Sequence, residues 1–298
     1  MVNVTDDLER DLRKHMLARM VPDPNGELAQ LPLNSLLIRW FNWRDRFVMI
    51  RPRRVHISKE LGSSQQAVEH RVPLRVIRSE VMNGDDLSLR LSRRIRYPVS
   101  SNAASPALGS RVDLDLLLAD WGIHHLHLSP TNDGARTGEL LFSILRPDDA
   151  YFISIGDHNS WNDEELIRIV VRNWPSANLV LGSYTGVSTR VPPSSLERKA
   201  LRRVGMGLPV DVDGSLYIAR GLTVGGVAMD VTRKSNKIMH GLRHIRELID
   251  EDANALTTIA TNQQCGIDPS PVWNSYVTQV DFGFEESKSG SRLKLGDL

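Results

Sequence analysis

The residues whose spacing most suggests chemistry are the histidines of one short apolar segment. Three of the nine histidines fall within residues 121–128, a stretch whose composition is typical of a β-strand. Because alternate side chains of a strand share a face, His125 and His127 are predicted on one face and His124 on the other, toward the core. Imidazole titrates near neutral pH, so one of the paired rings is suited to act as a base and the other as an acid.

Two further groups are predicted to converge on that face. Arg136 follows the histidine strand after a turn of hairpin length, and His158 follows Asp157 at the end of a third predicted strand. Catalytic side chains often lie in loops after strands, and a guanidinium suits a phosphate or a charged transition state. The predicted catalytic group is therefore His125, His127, Arg136 and His158.

Two other roles for these histidines stay open. The His-x-His spacing also suits a transition metal, and a metal-dependent hydrolase would use His125, His127, Asp157 and His158. Because few carboxylates lie nearby in the sequence, the metal-free alternative is favoured, and no metal or cofactor is expected. The remaining alternative is structural, with each histidine paired to backbone or carboxylate groups in a core.

Charge is unevenly distributed along the chain, although its net charge is only +1. Residues 39–100 hold 14 Arg and Lys against 6 Asp and Glu, whereas residues 101–298 hold 19 against 24. Segregated positive charge is typical of a nucleic-acid surface, but also of a solvated arginine-rich face that pairs with acidic segments. The predicted contacts to a nucleic-acid backbone are Arg51, Arg53, Arg54, Arg93 and Arg94.

A second, weaker site is predicted in residues 215–226, where a strand leads through a glycine-bearing turn into a long helix. Backbone N–H groups at such a helix start can bind phosphate, and Arg220, Thr223 and Gly225 are the candidates. The segment matches neither of the common glycine-rich phosphate-binding patterns. Glycines that only permit a tight connection are the alternative.

The pattern of apolar residues predicts an α+β fold with a helical N-terminal region, a small and mainly antiparallel central sheet with flanking helices, and a mixed C-terminal region with one long helix. The predicted boundaries are a helical region at 1–97, a linker or loop at 98–112, a central unit with the histidine strand at 113–182, an α+β region at 183–284, and a disordered tail at 285–298.

Composition narrows the class of protein. Apolar residues make up 41% of the chain and charged residues 24%, as in ordinary globular proteins. No apolar run reaches the ~18 residues that span a bilayer, and the acidic start does not resemble a secretory signal. The single cysteine, Cys265, cannot form an intramolecular disulfide or a cysteine-based zinc site. We therefore expect a cytoplasmic protein without a membrane partner.

Parts of the chain resemble known proteins. The segments 85–95, 115–128, 139–142 and 173–175 resemble an uncharacterised group of bacterial proteins. Over residues 113–182, the order of a helix, a strand with histidines, an arginine turn, two strands and a helix resembles the RelE/ParE members of the barnase-EndoU-colicin-RelE ribonuclease superfamily. That resemblance implies RNA cleavage through the 2′-hydroxyl by His and Arg side chains without metal, and a role as a toxin or in conflict with phages.

The expected function is accordingly a metal-independent endoribonuclease of toxin or phage-defence type. His125 and His127 would act as base and acid, Arg136 would hold the phosphate, and RNA would be the partner. One alternative is a non-enzymatic interaction module of a defence or phage-related assembly, with structural histidines and the long helix at 227–249 as its partner surface. The other is the His/Asp metal-dependent hydrolase. A protein inhibitor or assembly partner is compatible with the first two, and the sequence does not determine the oligomeric state.

Overall fold

The computed structural model describes residues 4–20, 23, 26–92, 115–129, 138–157, 160, 164–180, 183–185, 194, 196–197, 200–201, 206–223, 227–252, 254–263 and 272–298. The chain divides into two compact units. The described residues of 1–41 and 231–298 form unit 1, and those of 42–96 and 100–230 form unit 2. Neither unit coincides with one of the predicted regions, because each unit combines residues from several of those regions.

The described helices and strands mix along the chain, which makes the fold α+β, as predicted. The helices are α1 (Val4–Arg19), α2 (Leu33–Arg44), α3 (Lys59–Ser63), α4 (Gln65–Glu69), α5 (Arg71–Asn83), α6 (Leu116–Trp121), α7 (Glu165–Asn173), α8 (Met229–Glu251) and α9 (Ala255–Asn262). The strands are β1 (Arg54–Ile57), β2 (His124–His127), β3 (Leu140–Leu145), β4 (Asp149–Gly156), β5 (Ser183–Thr185), β6 (Val210–Val212), β7 (Ser215–Tyr217), β8 (Trp273–Val277), β9 (Asp281–Glu286) and β10 (Arg292–Asp297). No helix among these described residues is long and apolar enough to span a membrane.

Unit 2 contains a four-stranded sheet with the strand order β1-β4-β3-β2. Strands β2, β3 and β4 pair antiparallel, as the hairpin pattern predicted, and β1 adds parallel to β4. Strand β1 was not expected, because residues 1–97 were predicted to be helical. Through this four-residue strand, the positively charged segment of residues 39–100 joins the central sheet. A smaller sheet of the same unit has the order β5-β7-β6.

A hydrophobic core covers each face of the four-stranded sheet. The successive buried residues Leu140, Leu141 and Phe142 of β3 belong alternately to one core and to the other. One core contains Ile123, Leu140, Phe142 and Tyr151 and includes residues of α6, α7 and β6. The other contains Leu126, Leu128, Leu141, Ala150 and Phe152 and includes residues of α3 and α5. The histidine strand therefore lies between two hydrophobic layers, and the predicted alternation along it is confirmed.

Helices α5 and α6 both end where the sequence places a glycine. Gly84 and Gly122 adopt positive φ angles of 79° and 70°, and each caps its helix in the left-handed conformation that glycine tolerates best. Both helix ends therefore follow from a local feature of the sequence. Residues 85–92 belong to the predicted helical region, but they hold only a 3-10 turn at Ser88–Arg90.

In unit 1, α1 packs against β8, and β8, β9 and β10 form an antiparallel meander. Buried residues of α1 include Leu8, Leu12 and Met16, which follow one another at a spacing of four residues on one helix face. The prediction of a disordered tail at 285–298 is wrong. These residues complete β9 and form β10, and the Glu286 carboxylate accepts the N–H groups of Lys288 (3.1 Å) and Ser289 (2.7 Å) in the turn between the two strands.

The remaining predictions concern the linker, the strands of the C-terminal region and the long helix. The predicted linker at 98–112 lies outside the described residues. Strand β5 begins at Ser183, one residue beyond the predicted end of the central unit, and β8 and β9 form an antiparallel hairpin in the predicted C-terminal region. The long helix predicted at 227–249 is confirmed as α8.

Candidate functional site

The structure brings His125 and His127 together on β2. Their ring centroids lie 6.3 Å apart with the planes at 75°, on the face of the sheet that also carries Ile123. A carboxylate that the sequence analysis did not consider joins them, because Asp115 Oδ2 lies 3.2 Å from His125 Nδ1. The result is an Asp–His–His group at one side of the sheet.

Asp115 is held in place by its own helix. It is the N-cap of α6, and its Oδ1 accepts a hydrogen bond of 3.0 Å from the backbone N–H of Leu118. Burial raises the pKa of this carboxyl group, but the charge and hydrogen bond of His125, the Leu118 N–H and the charge of His124 together outweigh burial and lower it. Asp115 is therefore a carboxylate at neutral pH and can orient the imidazole of His125.

The three histidines of β2 are almost fully enclosed. His124, His125 and His127 are only 8%, 6% and 3% exposed. For His124, burial is the main cause that lowers the pKa to about 4, with smaller contributions from the charges of His125, Arg220 and Arg53, while Asp115 acts in the opposite direction. His124 is thus a neutral core residue. The rings of His125 and His127 are enclosed in the same way, so a substrate could not reach them from solvent.

A buried arginine fixes the end of the histidine strand. Arg90 is 2% exposed, and its Nη1 donates to the carbonyl oxygens of His127 (3.2 Å) and Leu128 (2.9 Å). Its Nε and Nη2 bind both oxygens of Glu80 on α5. The guanidinium therefore connects the end of β2 to α5 inside the protein.

Several predicted site residues lie outside the described part of the chain. These are the catalytic candidates Arg136 and His158, the nucleic-acid candidates Arg93 and Arg94, and the phosphate candidate Gly225. Asp157 is described, and its Oδ1 accepts hydrogen bonds from the N–H and hydroxyl of Ser160 at 3.1 and 3.2 Å.

The three described arginines of the predicted nucleic-acid surface are engaged within the protein. Arg53 is 7% exposed and donates to the carbonyl oxygens of Met49, Arg51 and Arg146 at 2.8–3.0 Å. Arg53 is therefore buried, and three of its N–H donors are used within the protein rather than presented at the surface. Arg51 pairs with Asp148 at 2.5 Å.

The weaker phosphate site is also occupied by internal contacts. The guanidinium of Arg220 lies against Gly122, where an added Cβ would be only 2.5 Å from Arg220 Cζ, and burial lowers the pKa of this arginine. The N–H of Arg220 donates to the carbonyl oxygen of Asp120 at 2.8 Å. Thr223 receives and donates hydrogen bonds with Val227 across the turn. These contacts position the turn that holds Arg220 and Thr223.

A second carboxylate–histidine pair lies at the opposite edge of the sheet, between β1 and β4. His56 Nε2 lies 2.8 Å from Asp149 Oδ1, and Arg54 binds the same carboxylate through Nε and Nη2 at 2.9 Å each. The side chains of His56 and Arg54 are 39% and 76% exposed, so this pair faces solvent. The hydrogen bonds from Arg54 and His56 lower the pKa of Asp149.

Aromatic side chains hold the ring of His56. It stacks on Tyr151, its register partner on β4, with centroids 4.8 Å apart and planes at 16°. Tyr151 in turn meets Trp174 edge-on at 5.1 Å. Trp174 lines a cavity of about 180 Å³ together with Val170, Asn178, Leu179 and Tyr217. The contact with Asp149 and the stacking on Tyr151 therefore fix the orientation of the imidazole.

His56 and Asp149 were not among the predicted site residues, although the sequence holds a signal for the strand that carries His56. Residues 54–57 alternate polar and apolar side chains, two positions after Pro52, which is typical of an outer strand. The partner Asp149 lies 93 residues away, so only the β1–β4 pairing reveals the contact.

Within the described residues, no group of three or more His, Cys, Asp and Glu side chains is arranged to hold a metal ion. The site that the structure defines is thus a carboxylate-held imidazole at the edge of an α+β sheet. Comparison with protein-family models, curated proteins and solved structures found no match to this chain.

Proposed function

We propose that this chain is a metal-independent endoribonuclease whose proton-transfer group is His56. The observation that carries the proposal is the 2.8 Å contact between His56 Nε2 and Asp149 Oδ1 at a solvent-facing sheet edge. Because a carboxylate only accepts, Nε2 donates to it and Nδ1 of the neutral ring is left as the base. A substrate can reach His56 from solvent, because its side chain is partly exposed. His125 and His127 are enclosed, so they do not offer this access.

The chemistry follows from the groups on the same face. His56 Nδ1 takes the proton of an RNA 2′-hydroxyl, the 2′-oxygen forms a bond to phosphorus, and the bond to the 5′-oxygen breaks. The leaving 5′-oxygen takes a proton from water. Arg54 uses Nε and Nη2 on Asp149, which directs Nη1 away from that carboxylate and toward a phosphate oxygen.

The choice of RNA is supported by the positive charge of residues 39–100, where 14 basic residues stand against 6 acidic ones. The toxin or phage-defence role belongs to the same proposal and follows from the resemblance noted above. It predicts that expression of the wild-type chain arrests growth of a bacterial host, whereas a His56→Asn variant does not.

The direct test is cleavage of total cellular RNA by the purified protein in the presence of EDTA. We expect His56→Asn to reduce the cleavage rate about 100-fold or more, and Asp149→Asn to reduce it as well, because the imidazole loses its orientation. His240→Asn is the matched control, since His240 is exposed on α8 of the other unit.

A His125→Asn/His127→Asn variant completes the experiment. Loss of cleavage in this variant, with full activity in His56→Asn and unchanged stability, would move the active site to β2. Absence of cleavage by the wild type would reject the ribonuclease, and cleavage only after metal is restored would favour the metal-dependent hydrolase.

A non-enzymatic interaction module is the second candidate, favoured by the burial of His124, His125 and His127. In that case the histidines are core residues, and the His125→Asn/His127→Asn protein loses stability while no activity depends on it. Equilibrium unfolding of this variant separates the two roles, because a purely catalytic pair would leave the unfolding free energy unchanged.

A further inference from the structure

The outer side of helix α5 carries two parallel rows of exposed side chains. Arg71, Arg75 and Arg78 follow one another at spacings of four and three residues, and all three are exposed. Val72 and Val76 form a neighbouring row four residues apart and are 66% and 44% exposed. Side chains at these spacings share a helix face, so charge and apolar surface run side by side along α5.

The arginines of this row differ from the other arginines of the same segment. Among the described residues, no hydrogen bond or ion pair engages Arg71, Arg75 or Arg78, whereas Arg51 and Arg54 each bind an aspartate. Three uncompensated charges therefore lie within about 10 Å along the helix axis. Their attraction for an anionic partner is not cancelled by a neighbouring carboxylate.

The inner side of the same helix shows why the outer rows are not core residues. Ile77 and Val81 are fully buried in the core that contains Phe152. An amphipathic helix would be expected to carry polar residues opposite that stripe. Instead Val72 and Val76 stand among the arginines, and Val68 in the preceding α4 is 67% exposed.

We propose that this surface, defined by Arg71, Val72, Arg75, Val76 and Arg78, docks an acidic amphipathic helix of a partner protein. Carboxylates at helical spacing on the partner meet the arginine row, and apolar side chains beside them cover the valines. Helices pack with rows of this kind interdigitated, and valine loses little conformational freedom when it is covered. Charge complementarity and the apolar row together specify this occupant.

The valine row argues against nucleic acid as the occupant. Phosphate binding needs the arginines alone, and unstacked bases bind to aromatic rings rather than to aliphatic side chains. The described surface of α5 offers no aromatic side chain. The inference is also independent of the proposed cleavage activity, because α5 covers the face of the sheet opposite to His56 and Tyr151.

The test is fluorescence anisotropy of the full chain with three labelled probes. The first is a 20-residue helical peptide with glutamates on one face and leucines at i, i+4 beside them. The second is a polyglutamate peptide of equal charge without leucine, and the third is a 20-nucleotide single-stranded RNA. We expect the first peptide to bind at least tenfold more tightly than polyglutamate, with affinity that falls as salt rises.

Two variants locate the binding on α5. Arg71→Glu/Arg75→Glu/Arg78→Glu and Val72→Ser/Val76→Ser should each weaken the binding of the first peptide at least tenfold. The control is Lys14→Glu/Lys237→Glu/Arg243→Glu, which changes the net charge equally at exposed positions of the other unit and should leave binding intact. Because all these side chains are exposed, the unfolding midpoints should stay close to that of the wild type.

Three results would overturn the proposal. They are no binding of the first peptide, equal binding by the arginine variant and the wild type, or binding of the RNA that depends on the arginines while Val72→Ser/Val76→Ser has no effect on any probe. The last result would assign the surface to nucleic acid instead.

Discussion

Arg90 Nη1 donates a hydrogen bond of 2.9 Å to the carbonyl oxygen of Leu128, directly after the histidine strand. Since the same guanidinium binds Glu80 on α5, it is the link between the helix with the exposed arginine row and the strand with the buried histidines. The first prediction concerns this link. Arg90→Met should lower the free energy of unfolding by about 3 kcal/mol, because the Glu80 carboxylate and two carbonyls lose their donor.

Equilibrium unfolding in urea, followed by circular dichroism, measures this effect. Glu80→Gln should also destabilise the protein, because it leaves the buried guanidinium without its countercharge. Arg78→Met is the control, since Arg78 is exposed on the same helix and should change stability by at most about 0.5 kcal/mol. Equal effects at Arg78 and Arg90 would contradict a structural role for the buried arginine.

The second prediction concerns pH and His124. Its pKa is about 4 in the folded protein, below the ~6.5 expected when unfolded, so between these values the unfolded chain binds the extra proton. Stability from this group is therefore present above pH ~6.5 and is lost as pH falls toward 4. His124→Asn lacks this titration, so wild type should lose about 2 to 3 kcal/mol more than the variant between pH 7.5 and pH 4.5.

Unfolding free energies at the two pH values provide the measurement. The groups that act on His124 are Asp115, His125, Arg220 and Arg53, all of which remain in the variant. Asp115 titrates below this window because its pKa is lowered, so it does not account for the expected difference. Identical pH dependence of wild type and variant would show that His124 is not held neutral by burial.

The third prediction concerns Arg53, which serves three carbonyl oxygens at once. Arg53→Lys keeps the charge but replaces a planar fork of donors by a single ammonium group, which cannot reach all three acceptors. We expect a loss of about 2 kcal/mol in unfolding free energy. Arg75→Lys, at an exposed position of α5, should be close to neutral, and an equally neutral Arg53→Lys would be inconsistent with the internal role of Arg53.

The fourth prediction tests the C-terminal strand. Leu293 on β10 is 1% exposed, so Leu293→Ala should destabilise the protein by about 2 to 4 kcal/mol through lost burial and a cavity. The neighbouring Lys294 points outward, and Lys294→Ala should have little effect. Thermal unfolding of the two variants distinguishes the cases, because both would be harmless if this segment were a disordered tail.

Local features of the fold could be predicted well from the sequence. The ends of α5 and α6 follow from Gly84 and Gly122, and the alternation of β2 places His125 and His127 together, because helix caps and strand faces depend on nearby residues. The candidate site was predicted less well. The two rings are adjacent as expected, but their enclosure depends on the layers that cover both sides of the sheet.

The sequence by itself determined the α+β class, the helix ends at Gly84 and Gly122, the long helix α8 and the segment with excess positive charge. Tertiary structure alone decided which charged groups are paired and which are accessible. Arg54 and Asp149 are 95 residues apart in the sequence. The pairing of β1 with β4 places the Asp149 carboxylate next to both Arg54 and His56. Arg53 and Arg71 both lie in the segment with excess positive charge, yet Arg53 is buried and Arg71 is exposed. Periodicity is a local property, whereas burial and ion pairing depend on how distant segments pack.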